Sequence, residues 1–119
     1  MSPKLSPVEA LDLWQRVSVA SVRQDVPDLS ARQMALLLTV YLTQPPHTVR
    51  GLAELLRISK PAVTRAVDRL SELGMVKRKV DEHDRRSVLI QRTVKGSVFL
   101  REFGDTIVAA SADGDSNSD

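Results

Sequence analysis

No cysteine occurs among the 119 residues, and only four of them are aromatic: Trp14, Tyr41, Phe99 and Phe103. The lack of cysteine excludes disulfides, thiolate metal sites and thiol redox chemistry. The longest apolar run, residues 34–42, is much shorter than the roughly 20 residues needed to cross a bilayer, and nothing resembles a signal peptide. We therefore expect a cytoplasmic protein with one compact domain and a mainly aliphatic core.

The sequence also lacks the short motifs that mark common enzyme classes. It contains no GxGxxG, P-loop, HExxH or nucleophile elbow, and its two histidines, His47 and His83, lie in separate predicted loops. His47 follows two prolines, so we expect it to be exposed. We predict a protein that is not an enzyme and that needs no cofactor.

One cluster has the residue types of a metal site. Asp81, Glu82, His83 and Asp84 are consecutive, and carboxylates with histidine suit zinc or manganese. A loop tip lacks the surrounding groups that orient metal ligands, so the sequence favours a solvated loop over a metal site.

Positive charge is concentrated in the middle of the sequence. Between Arg50 and Lys95 lie twelve Lys and Arg and six Asp and Glu, a net charge of +6, whereas the whole chain carries +2. The flanking segments are therefore net acidic, at −4. A basic segment in a balanced chain indicates a polyanionic partner, although a solvated charged surface has the same composition.

Apolar periodicity and capping motifs predict five helices, at residues 8–24, 31–42, 49–56, 60–73 and 94–110. Ser30 and Gln33 form a capping box, and Thr48, Ser59 and Thr93 are the expected N-caps of the three later helices.

Two short strands, 75–80 and 87–93, follow Gly74 and are joined by the charged loop 81–86. Helix, turn, helix and hairpin in this order predict a mainly α (α+β) fold, a winged helix-turn-helix with flanking helices. We expect an N-terminal helical segment at 1–28, the winged domain at 29–93, a C-terminal helix at 94–110 and a disordered tail at 111–119.

The helix at 60–73 has one apolar face and one polar face. Helical geometry places Val63, Ala66, Val67, Leu70 and Leu73 inward. The outer face near its start carries hydroxyl and basic side chains that can bind phosphate or read guanine in the major groove. The predicted DNA contacts of this helix are Ser59, Lys60, Pro61, Thr64, Arg65 and, at the edge or paired with Asp68, Arg69.

The hairpin supplies a second basic element. An arginine at its tip can enter a narrow minor groove, and Asp84 can orient Arg86 through a carboxylate–guanidinium pair. The predicted contacts of this wing are Lys77, Lys79, Asp84, Arg85 and Arg86. Two basic elements at a fixed separation are harder to explain as solvated surface than either one alone, so double-stranded DNA is the expected partner.

Broad apolar faces at both ends of the chain predict a homodimer. The expected interface residues are Leu11, Trp14, Val17, Phe99, Phe103 and Ile107. Trp14 against Phe99 or Phe103 could instead line an effector cavity, although such aromatics more often belong to a core or an interface.

Three segments, "LSARQMALLLTVYL", "TVRGLAELLRISKPAVTRAVDRLSELGMVKRK" and "DEHDRRSVLIQRTVKG", resemble the multiple antibiotic resistance regulator (MarR) family between about Leu29 and Gly96. The resemblance implies a homodimeric bacterial transcription factor, usually a repressor, often released from its pseudo-palindromic operator by small phenolic or lipophilic effectors. It also implies that the helix from Ser59 is the recognition helix and that Arg86, beside Asp84, enters the minor groove.

Two departures from the family pattern are visible. His83 stands where the wing often has a further arginine, and one helix follows the hairpin where two long ones are common. Weaker tip contacts and a reduced or rearranged dimer interface are therefore expected. The remaining alternative is a winged helix that binds another protein, a role that needs no arginines at both the helix start and the wing tip.

Overall fold

A computed structural model describes residues 4–116, of which the side chains are described through 112. Within this range the chain forms five α-helices and two β-strands. In chain order they are α1 (Pro7–Arg23), α2 (Ala31–Leu42), α3 (Val49–Leu56), α4 (Lys60–Glu72), β1 (Val76–Val80), β2 (Val88–Arg92) and α5 (Val94–Ser116). The predicted mainly α winged helix-turn-helix is confirmed. No described helix combines the length and the hydropathy that a membrane span requires.

Residues Leu29–Leu100 form one compact unit, here called the winged unit. Its core is aliphatic, as the composition predicts, because α2, α3 and α4 each bury one apolar face. The fully buried side chains include Leu36, Leu37, Val40, Leu52, Val63, Val67 and Leu70. Ile58, in the turn between α3 and α4, packs against this core.

The helix starts of the winged unit follow the predicted capping chemistry. The Ser30 hydroxyl accepts a hydrogen bond from the Gln33 amide, and the Gln33 side chain accepts one from the Ser30 amide. Thr48, Ser59 and Thr93 likewise accept from amides three residues ahead. Such caps bind amides that have no partner within the helix, and each stabilises by about 1 kcal/mol.

The two strands pair antiparallel, from Val76 opposite Arg92 to Val80 opposite Val88. A bridge between Thr48 and Leu89 adds the chain before α3 to the outer edge of β2. The β2 edge of the hairpin is thereby attached to the helical part of the winged unit.

The Tyr41 hydroxyl joins three elements. It accepts a hydrogen bond from the Thr93 amide at 2.8 Å and lies 2.7 Å from the Met75 carbonyl oxygen. Gly96, in the first turn of α5, is buried against this hydroxyl, which leaves no room for a Cβ atom. The end of α2, the start of β1 and the start of α5 are thus held at one point.

The described residues up to Asp28 and from Arg101 to Ser116 form a second compact unit, here called the terminal unit. The guanidinium Nε of Arg16, on α1, donates to the Ala110 carbonyl of α5 at 2.9 Å, and Gln24 donates to the Thr106 hydroxyl at 3.2 Å. The first boundary between the two units lies between Asp28 and Leu29. The second lies within α5, between Leu100 and Arg101, because the first turns of α5 pack on the winged unit's core.

Two expectations for the chain ends need correction. The last helix continues to Ser116, so the predicted tail from 111 is helical over its described part, and residues 117–119 lie outside the description. Val17 is buried within the protomer and cannot face a second copy. Phe99 is partly buried against the winged unit's core, so its place in an interface stays a prediction. The polar composition of the residues from 111 wrongly predicted disorder. The apolar spacing of α1 could not distinguish a residue of the core, such as Val17, from a residue of an interface.

Candidate nucleic-acid interface

α4 presents a polar face to solvent along its whole length. Ala62, Val63, Ala66, Val67 and Leu70 are buried, as helical spacing requires. The predicted contact residues of the helix are all on the outer side: Ser59, Lys60, Pro61, Thr64, Arg65 and Arg69 are exposed. α4 can therefore approach a partner without any change in the core.

The N-terminal end of α4 is electrostatically open. The Ser59 hydroxyl accepts from the Ala62 amide at 3.2 Å, which fixes the start of the helix, and Pro61 occupies its first turn. In the described part of the chain, no carboxylate lies within ion-pair distance of Lys60 or Arg65. Two free cations thus extend from a helix end that already carries partial positive charge, an arrangement suited to anionic groups.

Farther along α4 the charged residues are paired. Arg69 lies 3.7 Å from Glu72, so its predicted pairing with Asp68 is wrong. Asp68 instead accepts from Arg78 of β1, which also reaches the Ser71 hydroxyl at 3.4 Å. The cause is geometric: Asp68 and Arg69 are adjacent and diverge on a helix, whereas residues three or four apart share a face. Arg78 thereby ties the second half of α4 to the hairpin.

Asp84 organises the tip of the wing. Its carboxylate accepts from the Arg86 amide at 3.1 Å, from the Arg86 Nε at 3.5 Å and from the Ser87 hydroxyl at 3.4 Å. The Arg86 side chain is nevertheless 94% exposed. The structure therefore contains the expected pair of a supporting carboxylate and a projecting arginine.

The strands of the wing separate their basic side chains by face, because neighbouring residues in a strand point to opposite sides. Arg78 belongs to the same side as buried Val76 and reaches α4, whereas Lys77 and Lys79 belong to the other side. Lys77, Lys79 and Arg85 are exposed, and none of them has an ion pair among the described residues. The described chain brings no three His, Cys, Asp or Glu side chains together in a way that suits a metal ion.

One feature near the interface was absent from the sequence prediction. Arg57, between α3 and α4, adopts a left-handed backbone conformation with φ 55° and ψ 44°, and its side chain is exposed. Such a conformation costs a non-glycine residue about 1 kcal/mol. The only available signal was the short connection between the two helices, and that signal does not tell which residue takes the left-handed position.

The MarR family model matches residues 28–87, about half of the chain. Among solved structures, a mutant of S. aureus MepR bound to an oligodeoxyribonucleotide is 20% identical, with a TM-score of 0.78 over 92% of this chain and 78% of that one. A mutant of E. coli MarR complexed with operator DNA is 25% identical, with a TM-score of 0.65 over 80% and 62%.

CouR from Rhodococcus jostii RHA1, bound to p-coumaroyl-CoA, is 26% identical, with a TM-score of 0.63 over 87% of this chain and 69% of that one. A comparison with curated proteins gave no match. The family match covers α2 to the wing tip, the segment in which the sequence shows its resemblance and in which the structure has the helix-turn-helix. The chain therefore belongs to the MarR family.

Proposed function

We propose that the protein is a transcriptional regulator, and not an enzyme, that binds double-stranded DNA as a homodimer in the bacterial cytoplasm. Repression is the expected output and a pseudo-palindromic operator the expected target. The observation that carries the proposal is the presence, in one compact unit, of two exposed basic elements. At the start of α4, Lys60 and Arg65 have no carboxylate partner among the described residues, and at the tip of the wing Arg86 projects into solvent from its supporting carboxylate, Asp84. MepR and MarR, whose folds this chain shares, have structures bound to DNA.

In this proposal the start of α4 and the wing contact different grooves of the DNA. The start of α4 enters the major groove, where Lys60 or Arg65 reads guanine, while Ser59, Thr64 and the helix amides hold phosphates. Arg86 enters the minor groove, and Lys77, Lys79 and Arg85 contact the backbone. Farther along α4, Asp68 and Glu72 are paired with Arg78 and Arg69, so the unpaired positive charge of the helix lies in its first two turns, and these enter the groove.

Arg65→Ala is expected to relax base preference at one position of each half-site. If Arg65 reads a guanine, the variant loses about 1 to 3 kcal/mol of discrimination between bases at that position. Its discrimination between bases at the other positions of the half-site is unchanged. Competition binding with single-base operator variants measures this directly. An unchanged preference at every position would remove Arg65 from the reading face.

Homodimerisation is supported by apolar side chains that the protomer leaves in water. Val8 is 75% exposed, Leu11 70% and Trp14 58% on α1, and Val108 of α5 is also exposed. Large exposed apolar surfaces are unfavourable in a monomer and mark interaction sites. A symmetric dimer would place two α4 helices on half-sites about 10 base pairs apart.

Leu11→Glu is therefore expected to yield a monomer that still folds, because a carboxylate at this exposed site costs the protomer little but is unfavourable inside an apolar interface. Sedimentation at micromolar concentration measures the change, with circular dichroism to verify folding. Arg32→Glu, on an exposed position at the start of α2, is the matched control and should remain dimeric. A monomeric parent protein would refute the dimer.

The proposed function as a whole is tested by selecting bound duplexes from a random DNA pool and repeating the binding at two salt concentrations. A pseudo-palindrome bound with steep salt dependence supports it, since neutralised phosphates release counterions. If no sequence is enriched and binding at low salt is weak, a protein-binding winged helix is the better explanation.

A further inference from the structure

The loop at the tip of the wing, residues 81–86, contains a histidine among carboxylates. His83 is exposed, and among the described residues its imidazole ring has neither a hydrogen-bond partner nor an ion pair. The one hydrogen bond of this residue is made by its backbone amide. The ring can therefore contact another molecule, and can gain a proton, without breaking a bond within the protein.

The backbone of the loop holds His83 in the same way as it holds Arg86. The Asp81 carboxylate accepts from the His83 amide at 2.9 Å, and the Asp84 carboxylate accepts from the Arg86 amide at 3.1 Å. Aspartate side chains commonly fix turns by accepting from the amide two residues ahead. The tip thus presents two side chains from ordered turns, and Arg86 is the one already assigned to the minor groove.

The net charge of the loop depends on whether His83 carries a proton. The other charged groups of the loop are three carboxylates and two guanidiniums, those of Asp81, Glu82, Asp84, Arg85 and Arg86. Among the described residues, no hydrogen bond or ion pair joins a side chain of this loop to a helix or a strand. With a neutral imidazole the loop carries a net charge of −1, which phosphates repel, and with a protonated one it carries no net charge.

Protonation of a histidine at this place is favourable to DNA binding. Histidine is the side chain whose charge ordinarily changes between about pH 5 and pH 8. A narrow minor groove has a strong negative potential, which attracts histidine as well as arginine and lysine. Since the coupling between two ligands is reciprocal, protons then favour DNA binding and DNA favours protonation.

The other histidine of the chain, His47, is buried. Its predicted exposure is wrong: only 8% of the residue is accessible, and its Nε2 lies 3.3 Å from the Thr43 carbonyl oxygen. The segment around it pairs with β2 through a 2.8 Å hydrogen bond from the Ile90 amide to the His47 carbonyl, which draws the ring inside. His83 is therefore the histidine that a partner can reach.

We propose that His83 is a further DNA contact of the wing, made by its protonated ring beside Arg86, so that affinity for DNA rises as the pH falls. The inference rests on the proposed function, because the contact is made only if the tip of the wing enters the minor groove.

The test measures the DNA affinity of the full chain at about pH 6 and about pH 8. The probes are a duplex enriched from the random pool and an unrelated duplex. His83→Gln removes the ionisable ring, and His83→Arg keeps a positive charge at both pH values. Because the position is exposed, both variants should fold like the parent. ¹⁵N NMR of the histidine rings reports whether His83 takes up a proton when DNA is added.

We expect the parent to bind both duplexes about tenfold more tightly at the lower pH, since the proposed dimer would gain two cations. The His83 ring should take up a proton on binding. The affinity of His83→Gln should change less than about twofold with pH and match that of the parent at the higher pH. His83→Arg should match the parent at the lower pH under both conditions.

Two kinds of failure are distinguishable. A parent whose affinity is the same at both pH values, or a pH dependence that persists in His83→Gln, would overturn this inference and leave the proposed function in place. A parent that binds no duplex at either pH would overturn both.

Discussion

Gly96→Ala is expected to be the most destabilising conservative substitution in the winged unit. A Cβ at this position would meet the Tyr41 hydroxyl and the Met75 carbonyl oxygen far inside van der Waals contact. Relief requires Tyr41 to move, which breaks its hydrogen bonds to Thr93 and Met75. Strain of this kind together with the lost hydrogen bonds amounts to roughly 2 to 5 kcal/mol of unfolding free energy.

Urea denaturation followed by circular dichroism measures this loss. Gly104→Ala in the same helix is the matched control, because nothing lies within 4 Å of the Cβ it would add. Alanine is a better helix former than glycine by about 1 kcal/mol, so the control should be neutral or more stable. If both variants unfold at the parental urea midpoint, the space between Gly96 and the Tyr41 hydroxyl can accept a methyl group, and the prediction is wrong.

The second large effect is expected at the tip of the wing. Arg86→Ala should weaken binding to every duplex about a hundredfold, or 2.7 kcal/mol, since the proposed dimer would lose both of the arginines assigned to the minor groove. The ranking of sequences should stay the same, because the minor groove carries little base information. The logarithm of the affinity should also depend less steeply on the logarithm of the salt concentration, because fewer phosphates are neutralised.

Titration of a selected operator and of an unrelated duplex measures both quantities. Asp84→Asn separates charge from positioning, because it keeps Arg86 but weakens the group that orients it. We expect an intermediate loss for that variant and none for Arg101→Ala, which removes an exposed arginine from the terminal unit. Parental affinity in Arg86→Ala would show that the wing does not contact DNA.

Local chemistry made most of the fold predictable. Capping residues such as Ser30 and Ser59 specify helix starts through hydrogen bonds that span three residues, and apolar spacing specifies which side of α4 is buried. The pairing of Asp84 with Arg86 was predictable for the same reason, since the two residues are neighbours in a turn.

Contacts between distant segments were beyond the sequence pattern. The burial of His47 depends on the pairing of its segment with β2, more than forty positions later in the chain. The ion pair between Arg78 and Asp68 forms only because β1 packs beside α4. The same limit applies to Val17, whose apolar character suits a core and an interface equally. Patterns that repeat every few residues predict elements and faces, but not which surfaces meet.

The apolar side chains that α1 leaves in water have a thermodynamic consequence. In a homodimer, each protomer acts as a ligand of the other, and mass action then makes apparent stability rise with protein concentration. The melting temperature of such a protein depends on the protein concentration as well as on the sequence. In the cell, the same relation would connect the number of molecules present to the fraction that is folded.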